Sequence, residues 1–96
     1  MGFLDLFKRK EKADIHVERR KFLLLHGRIT DGVITDTETT RNGEEIVFFV
    51  YTLNGVDFES SELLDEEMKS DPLKYAPGAK VAVRYDPKNQ GNSTLV

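Results

Sequence analysis

The stretch EIVFFVYTLNGVDFES, residues 45–60, decides how the rest of the chain is read. At its centre is Asn54-Gly55, a strong hairpin signal because both residue types tolerate positive φ. Ahead of the turn, EIVFFVYTL is apolar on both faces, the pattern of a strand that is central or wrapped in a closed barrel. Behind it, Val56 and Phe58 alternate with Asp57 and Glu59, as in a half-buried strand.

Working outward, Asn42-Gly43 within TRNGEE supplies a second hairpin turn. It joins the apolar strand to an earlier extended segment that holds Ile29, Val33 and a Thr-rich run to Thr40. Downstream, SSELLDEEMKSDPLKYAPG predicts a short helix capped by Ser60 or Ser61, carrying Leu63, Leu64 and Met68, and ended by Asp71-Pro72. Pro77-Gly78 then turns into AKVAVRYD, where Val81, Val83 and Tyr85 share a face. Asp86-Pro87-Lys88-Asn89 turns once more, and STLV closes the sheet, with Ser93 beginning that last strand. The expectation is a mainly β fold: a small five-stranded, partly closed barrel of OB or SH3-like form, with an N-terminal helix and a short connecting helix.

The N-terminal third is less regular. In ADIHVERRKFLLLHG, residues 13–27, Asp14 suits a cap, Ile15, Glu18, Phe22 and Leu25 share a helical face, and Gly27 suits a stop. KFLLLH reads equally as a strand, so residues 19–27 stand open between the two. Residues 1–12 form an apolar and basic arm, and residues 13–96 a single small domain.

Three blocks taken in order, LLLHGRITDGVITDTE, FFVYTLNGVDFES and YAPGAKVAVRYDPKNQGNSTL, resemble the DUF3592-type domain, a small bacterial β-domain of uncharacterised function. The resemblance covers roughly residues 20–96. It implies a barrel-like β-domain, often beside transmembrane helices, and carries over no catalytic residues. The chain departs from the pattern at Gln90, where a second proline is expected, and in having no spanning helix.

With 96 residues and 39% hydrophobic content, the chain has room for one modest core. The absence of cysteine removes disulfides, thiolate nucleophiles and cysteine-based metal sites. There is no apolar run of about 18 residues, the length needed for a membrane-crossing helix. MGFLDLFKRKEK lacks the long apolar region of a signal peptide, so a cytoplasmic location is expected. Residues 1–28 carry eight Lys/Arg and four Asp/Glu, a balance of +4, whereas residues 29–96 carry six and thirteen, a balance of −7. So acidic a body disfavours nucleic acid, whose phosphates draw most binding energy from Lys and Arg. Phe48, Phe49, Tyr51, Phe58, Tyr75 and Tyr85 are assigned to the core rather than to base stacking.

Little in the sequence has the pattern of chemistry. Ser93 or Thr94 as a nucleophile would need a positioned base, and neither His16 nor His26 is tied to them by a motif. The two histidines are ten residues apart, far from a helical metal pair. Glu62, Asp65, Glu66, Glu67 and Asp71 read as a solvated helix face. Gly27 and Gly32 lack the Lys-Ser/Thr of a phosphate loop and suit a bend or bulge in a curved sheet. No catalytic, metal or cofactor-binding residue is therefore assigned.

The leading expectation is a non-catalytic binding or accessory module. A second is a module docking through its arm on an anionic membrane surface or a protein, with Phe3, Leu6, Phe7, Lys8 and Arg9 as contacts. The competing use of the arm is packing on its own barrel. A third is a ligand-binding or enzymatic barrel with a concavity near Tyr75, Arg84 or Tyr85. Exposed strand edges also allow a homodimer.

Overall fold

The computed structural model describes residues 17–96, and the proposed contacts Phe3, Leu6, Phe7, Lys8 and Arg9, with His16, lie outside them. Residues 17–26 are helical (α1), which settles the open choice for this segment. Then follow β1 (Arg28–Thr39), β2 (Glu45–Leu53), β3 (Val56–Leu63), α2 (Glu66–Lys69), β4 (Lys80–Asp86) and β5 (Asn89–Leu95). All neighbours are antiparallel, in the order β3-β2-β1-β4-β5. The sheet curls until β3 and β5 approach each other, giving a nearly closed barrel of five strands.

The hairpins form where the turn chemistry requires them. Asn54 and Gly55 both take positive φ, 53° and 80°, and place Leu53 opposite Val56. In the longer Thr40–Glu44 connection only Gly43 is left-handed, and Thr40 ties the loop by accepting from the Gly43 amide and, through Oγ1, from the Glu44 amide. At the last hairpin Asp86 Oδ1 accepts from the Lys88 amide at 2.9 Å across Pro87. The Asp-Pro-Lys-Asn stretch is a turn.

β2 is an inner strand of the nearly closed barrel, paired on both sides, as its apolar pattern predicts. Several finer expectations need correcting. The two faces of β2 are not equally buried. Val47, Phe49, Tyr51 and Leu53 enter the core, Ile46, Phe48 and Val50 are half-buried, and β1 is central. Ser60 and Ser61 do not cap a helix, because the alternation begun at Phe58 continues through them to Leu63. The cap is Asp65, whose carboxylate accepts from the Met68 amide at 2.8 Å, and the helix is one turn. Ser93 does not begin β5 but lies inside it, buried.

Gly32 marks no bulge. The register shift falls between Ile34 and Asp36. Gly32 instead permits close approach, since a Cβ there would lie 2.7 Å from Val83 Cγ2 and 3.0 Å from the Val50 carbonyl.

The core unites Ile34, Val47, Phe49, Tyr51, Leu64, Met68, Tyr75, Val81, Val83 and Leu95. Tyr51 stacks at 6.1 Å on Phe49, 5.5 Å on Phe58 and 6.4 Å on Tyr85, so these aromatic residues, with Tyr75, do fill the barrel, whereas Phe48 lies half-buried on the opposite face of β2. Each such side chain, fully buried, contributes roughly 1.5–3 kcal/mol over its exposed state.

The helical stripe read from sequence faces the other way. Phe22 and Leu25 remain 48% and 73% exposed, while Leu23 is fully buried and Arg19 and Arg20 are half-buried. The reason is hydrogen bonding. The two guanidinium groups turn toward β5, and Leu23, on their face of the helix, goes inward with them.

Candidate functional site

The seam between β3 and β5 concentrates the polar chemistry of the described residues. No backbone ladder joins these two strands. The groups of β5 are satisfied by side chains instead, delivered by three different elements. From β3, Glu62 accepts from Thr94 Oγ1 and, with its second oxygen, from the Leu95 amide at 2.9 Å. From α1, Arg19 Nη1 donates to the Ser93 carbonyl at 2.8 Å and to Asn92 Oδ1 at 3.1 Å. Arg20 Nη1 reaches the Leu95 carbonyl at 3.4 Å. From β2, the Tyr51 hydroxyl donates to the Gln90 carbonyl at 2.5 Å. This arrangement closes the barrel, because an edge strand with its backbone groups engaged no longer templates pairing.

Burial pushes the Glu62 carboxyl above the ordinary carboxylate range. The bonds from Thr94 and Leu95 and the charges of Arg20 and Arg19 pull it down, but desolvation outweighs them. Glu62 was missed as a special residue because it sits in the acid-rich run read as a helix. The signal that singles it out is parity. Phe58, Ser60 and Glu62 continue one face of a strand, the inner one.

The residues singled out as candidate nucleophiles serve this closure. Thr94 donates to Glu62, and Ser93 Oγ is buried with no partner among the described residues. His26 packs its ring on Phe22 at 5.2 Å. Of the acids, Asp65 caps α2, Glu66 pairs with Lys69 at 3.6 Å, and among the described residues no three His, Cys, Asp or Glu gather to hold a metal.

Of the three residues named for a concavity, Tyr75 borders open clefts, whereas Arg84 and Tyr85 make contacts of their own among the described residues. Arg84 Nη1 donates to the Gly27 carbonyl at 2.9 Å, and Tyr85 stacks on Tyr51. Tyr75 borders two open clefts. One, of about 340 Å³, runs between Arg20 and the α2 region, with Asp65, Asp71 and Lys74 at its rim. The other, of about 210 Å³, lies between the end of β1 and the Pro72–Pro77 loop.

The remaining feature is the outer face of α1. Val17, Phe22, Leu24 and Leu25 are exposed there at 38–73%, followed by Ile29 at 57%, and Lys21 and Arg28 are exposed among them. No helix among the described residues is long and apolar enough to cross a membrane.

A small antiparallel sheet, nearly closed, filled by its own side chains and sealed by a helix through polar bonds, defines the class: a compact β-barrel domain with an appended amphipathic helix. The chain belongs to DUF3592, a domain of unknown function, whose family model matches residues 26–96. No curated protein and no solved structure matches it.

Proposed function

We propose that this chain is a non-catalytic docking module whose barrel is a scaffold and whose N-terminal region meets an anionic membrane surface. The observation that carries this reading is the inverted helix. The apolar stripe of α1, with Phe22 and Leu25, points away from the barrel although Leu23 and two arginines point toward it. An apolar helical stripe flanked by cations is the signature of an interfacial helix. Lys21 and Arg28 flank it beside the single acid Glu18 of the described residues on that face, and the preceding sequence adds Phe3, Leu6 and Phe7 with Lys8 and Arg9.

Charge supports the orientation. A region of +4 joined to a body of −7 turns its basic end toward an anionic surface, each Lys or Arg contributing about 1 kcal/mol near it. The non-catalytic part of the reading is supported by the filled interior, where Phe49, Val83 and Leu95 are fully buried, and by the structural use of Thr94 and Glu62. A cytoplasmic, membrane-peripheral location fits it, since the cytoplasmic leaflet is the anionic one.

The test is co-sedimentation with phosphatidylserine vesicles, comparing the full chain with residues 13–96 and confirming that both are folded. Salt-sensitive pelleting of the full chain, greatly weakened without the arm, is the expected result. Failure of both to pellet would replace the membrane with a protein partner.

A further inference from the structure

The two long sides of β1 are not equally covered. As far as Ile34 the strand is flanked on both sides, by β2 and by β4. There the Ile34 amide donates to Ala79 at 2.9 Å and its carbonyl accepts from Gly78 at 2.7 Å. Beyond that point Asp36–Thr39 pair with β2 alone, Thr35 is the extra residue at the register shift, and all five are exposed. The Thr37 amide donates at 2.8 Å to the carboxylate of its own neighbour, Asp36, which stands where the carbonyl of another strand would be. β5 has its edge groups engaged by Glu62, Arg19, Arg20 and Tyr51, whereas among the described residues this half of β1 has only Asp36.

The open half borders the 210 Å³ groove, floored by Val47, Leu64 and Tyr75 and walled by Pro72 and Pro77. The rim is acidic at Glu38 and Glu45, Asp36 lies next along β1, and the two prolines offer no amide to compete for pairing.

We propose that Thr35–Thr39 accept an extended basic peptide segment of a partner protein as an added strand. One apolar side chain of the segment rests on Val47, Leu64 and Tyr75, and its flanking Lys or Arg residues lie against Asp36 and Glu38. Strand addition gains affinity from main-chain bonds and specificity from alternate side chains. As the segment enters, its carbonyl takes over the Thr37 amide, and the released Asp36 carboxylate pairs with the peptide cation. The surface is separate from the outer face of α1, so it stands or falls independently of membrane docking.

The experiment is a titration of the ¹⁵N-labelled full chain with an acetylated, amidated Lys-Leu-Lys-Leu-Lys peptide, followed by amide shifts and hydrogen exchange. Shifts confined to Thr35–Thr39, Leu64 and Tyr75, with slowed exchange at Thr37, are expected. Loss of one pairing bond in Thr37→Pro weakens the affinity about tenfold. The double variant Asp36→Lys with Glu38→Lys, which keeps every backbone amide, weakens it at least as much. Equal binding of the Glu-for-Lys peptide would overturn the proposal, as would shifts on α1, shifts spread over the acidic surface, or none at millimolar peptide. Concentration-dependent shifts of Thr35–Thr39 without peptide would overturn it too, assigning the edge to a second copy of the chain.

Discussion

Glu62 accepts from two donors that have no other acceptor among the described residues, the Thr94 hydroxyl and the Leu95 amide. Glu62→Ala would leave both without a partner beneath the seam, at about 1–3 kcal/mol for each buried group, and urea unfolding at neutral pH measures the loss. The carboxyl also sets a pH dependence. Its folded-state pKa is raised by burial, so the folded protein binds this proton more tightly than the unfolded chain does. Its contribution to stability is therefore fully present below the ordinary value of 4.5 and is lost as pH rises from there through the folded value. The charges facing it, Arg20 and Arg19, moderate the loss without reversing its sign. Compared by urea unfolding at several pH values, Glu62→Gln should lack this component, and a difference profile flat across that window would contradict the assignment. Nothing local in the sequence distinguishes Glu62 from Glu66 or Glu67. Only the strand parity of β3 does, and that depends on where the strand ends.

At the scale of elements, the hairpins were legible because Asn54-Gly55, Gly43 and Asp86-Pro87 carry their geometry in their own chemistry. The end of β3 was not, since Ser60 and Ser61 serve equally as helix caps or strand residues until partners on β2 are known. The orientation of α1 was hidden for a related reason. Hydrophobicity assigns Phe22 and Leu25 inward, whereas the carbonyls that draw Arg19 and Arg20 belong to β5, more than seventy residues away. Two substitutions test these contacts. Gly32→Ala forces a methyl group against Val83 and the Val50 carbonyl and should cost about 1–3 kcal/mol by chemical denaturation. Leu23→Ala removes the one buried apolar residue of α1 among the described residues and should cost about 2–5 kcal/mol. If it instead leaves stability unchanged, α1 is held by its arginines alone.

For the whole molecule, the barrel is closed by side chains at one seam, filled by aromatic and branched residues, and left open along half of β1. Its interior is filled by side chains, and two exposed surfaces stand out, the outer face of α1 and the β1 edge. The central claim is that the first of these meets a membrane. The chain contains no tryptophan, so a tryptophan placed at one position reports that position alone. Leu25→Trp puts the probe on the outer face of α1, and Leu73→Trp puts it in the exposed connection between α2 and β4. The decisive measurement is the emission of both variants as phosphatidylserine vesicles are added. A blue shift for Leu25→Trp, reversed by salt and absent for Leu73→Trp, is the predicted result. No shift at Leu25→Trp, or equal shifts at both positions, would contradict the account.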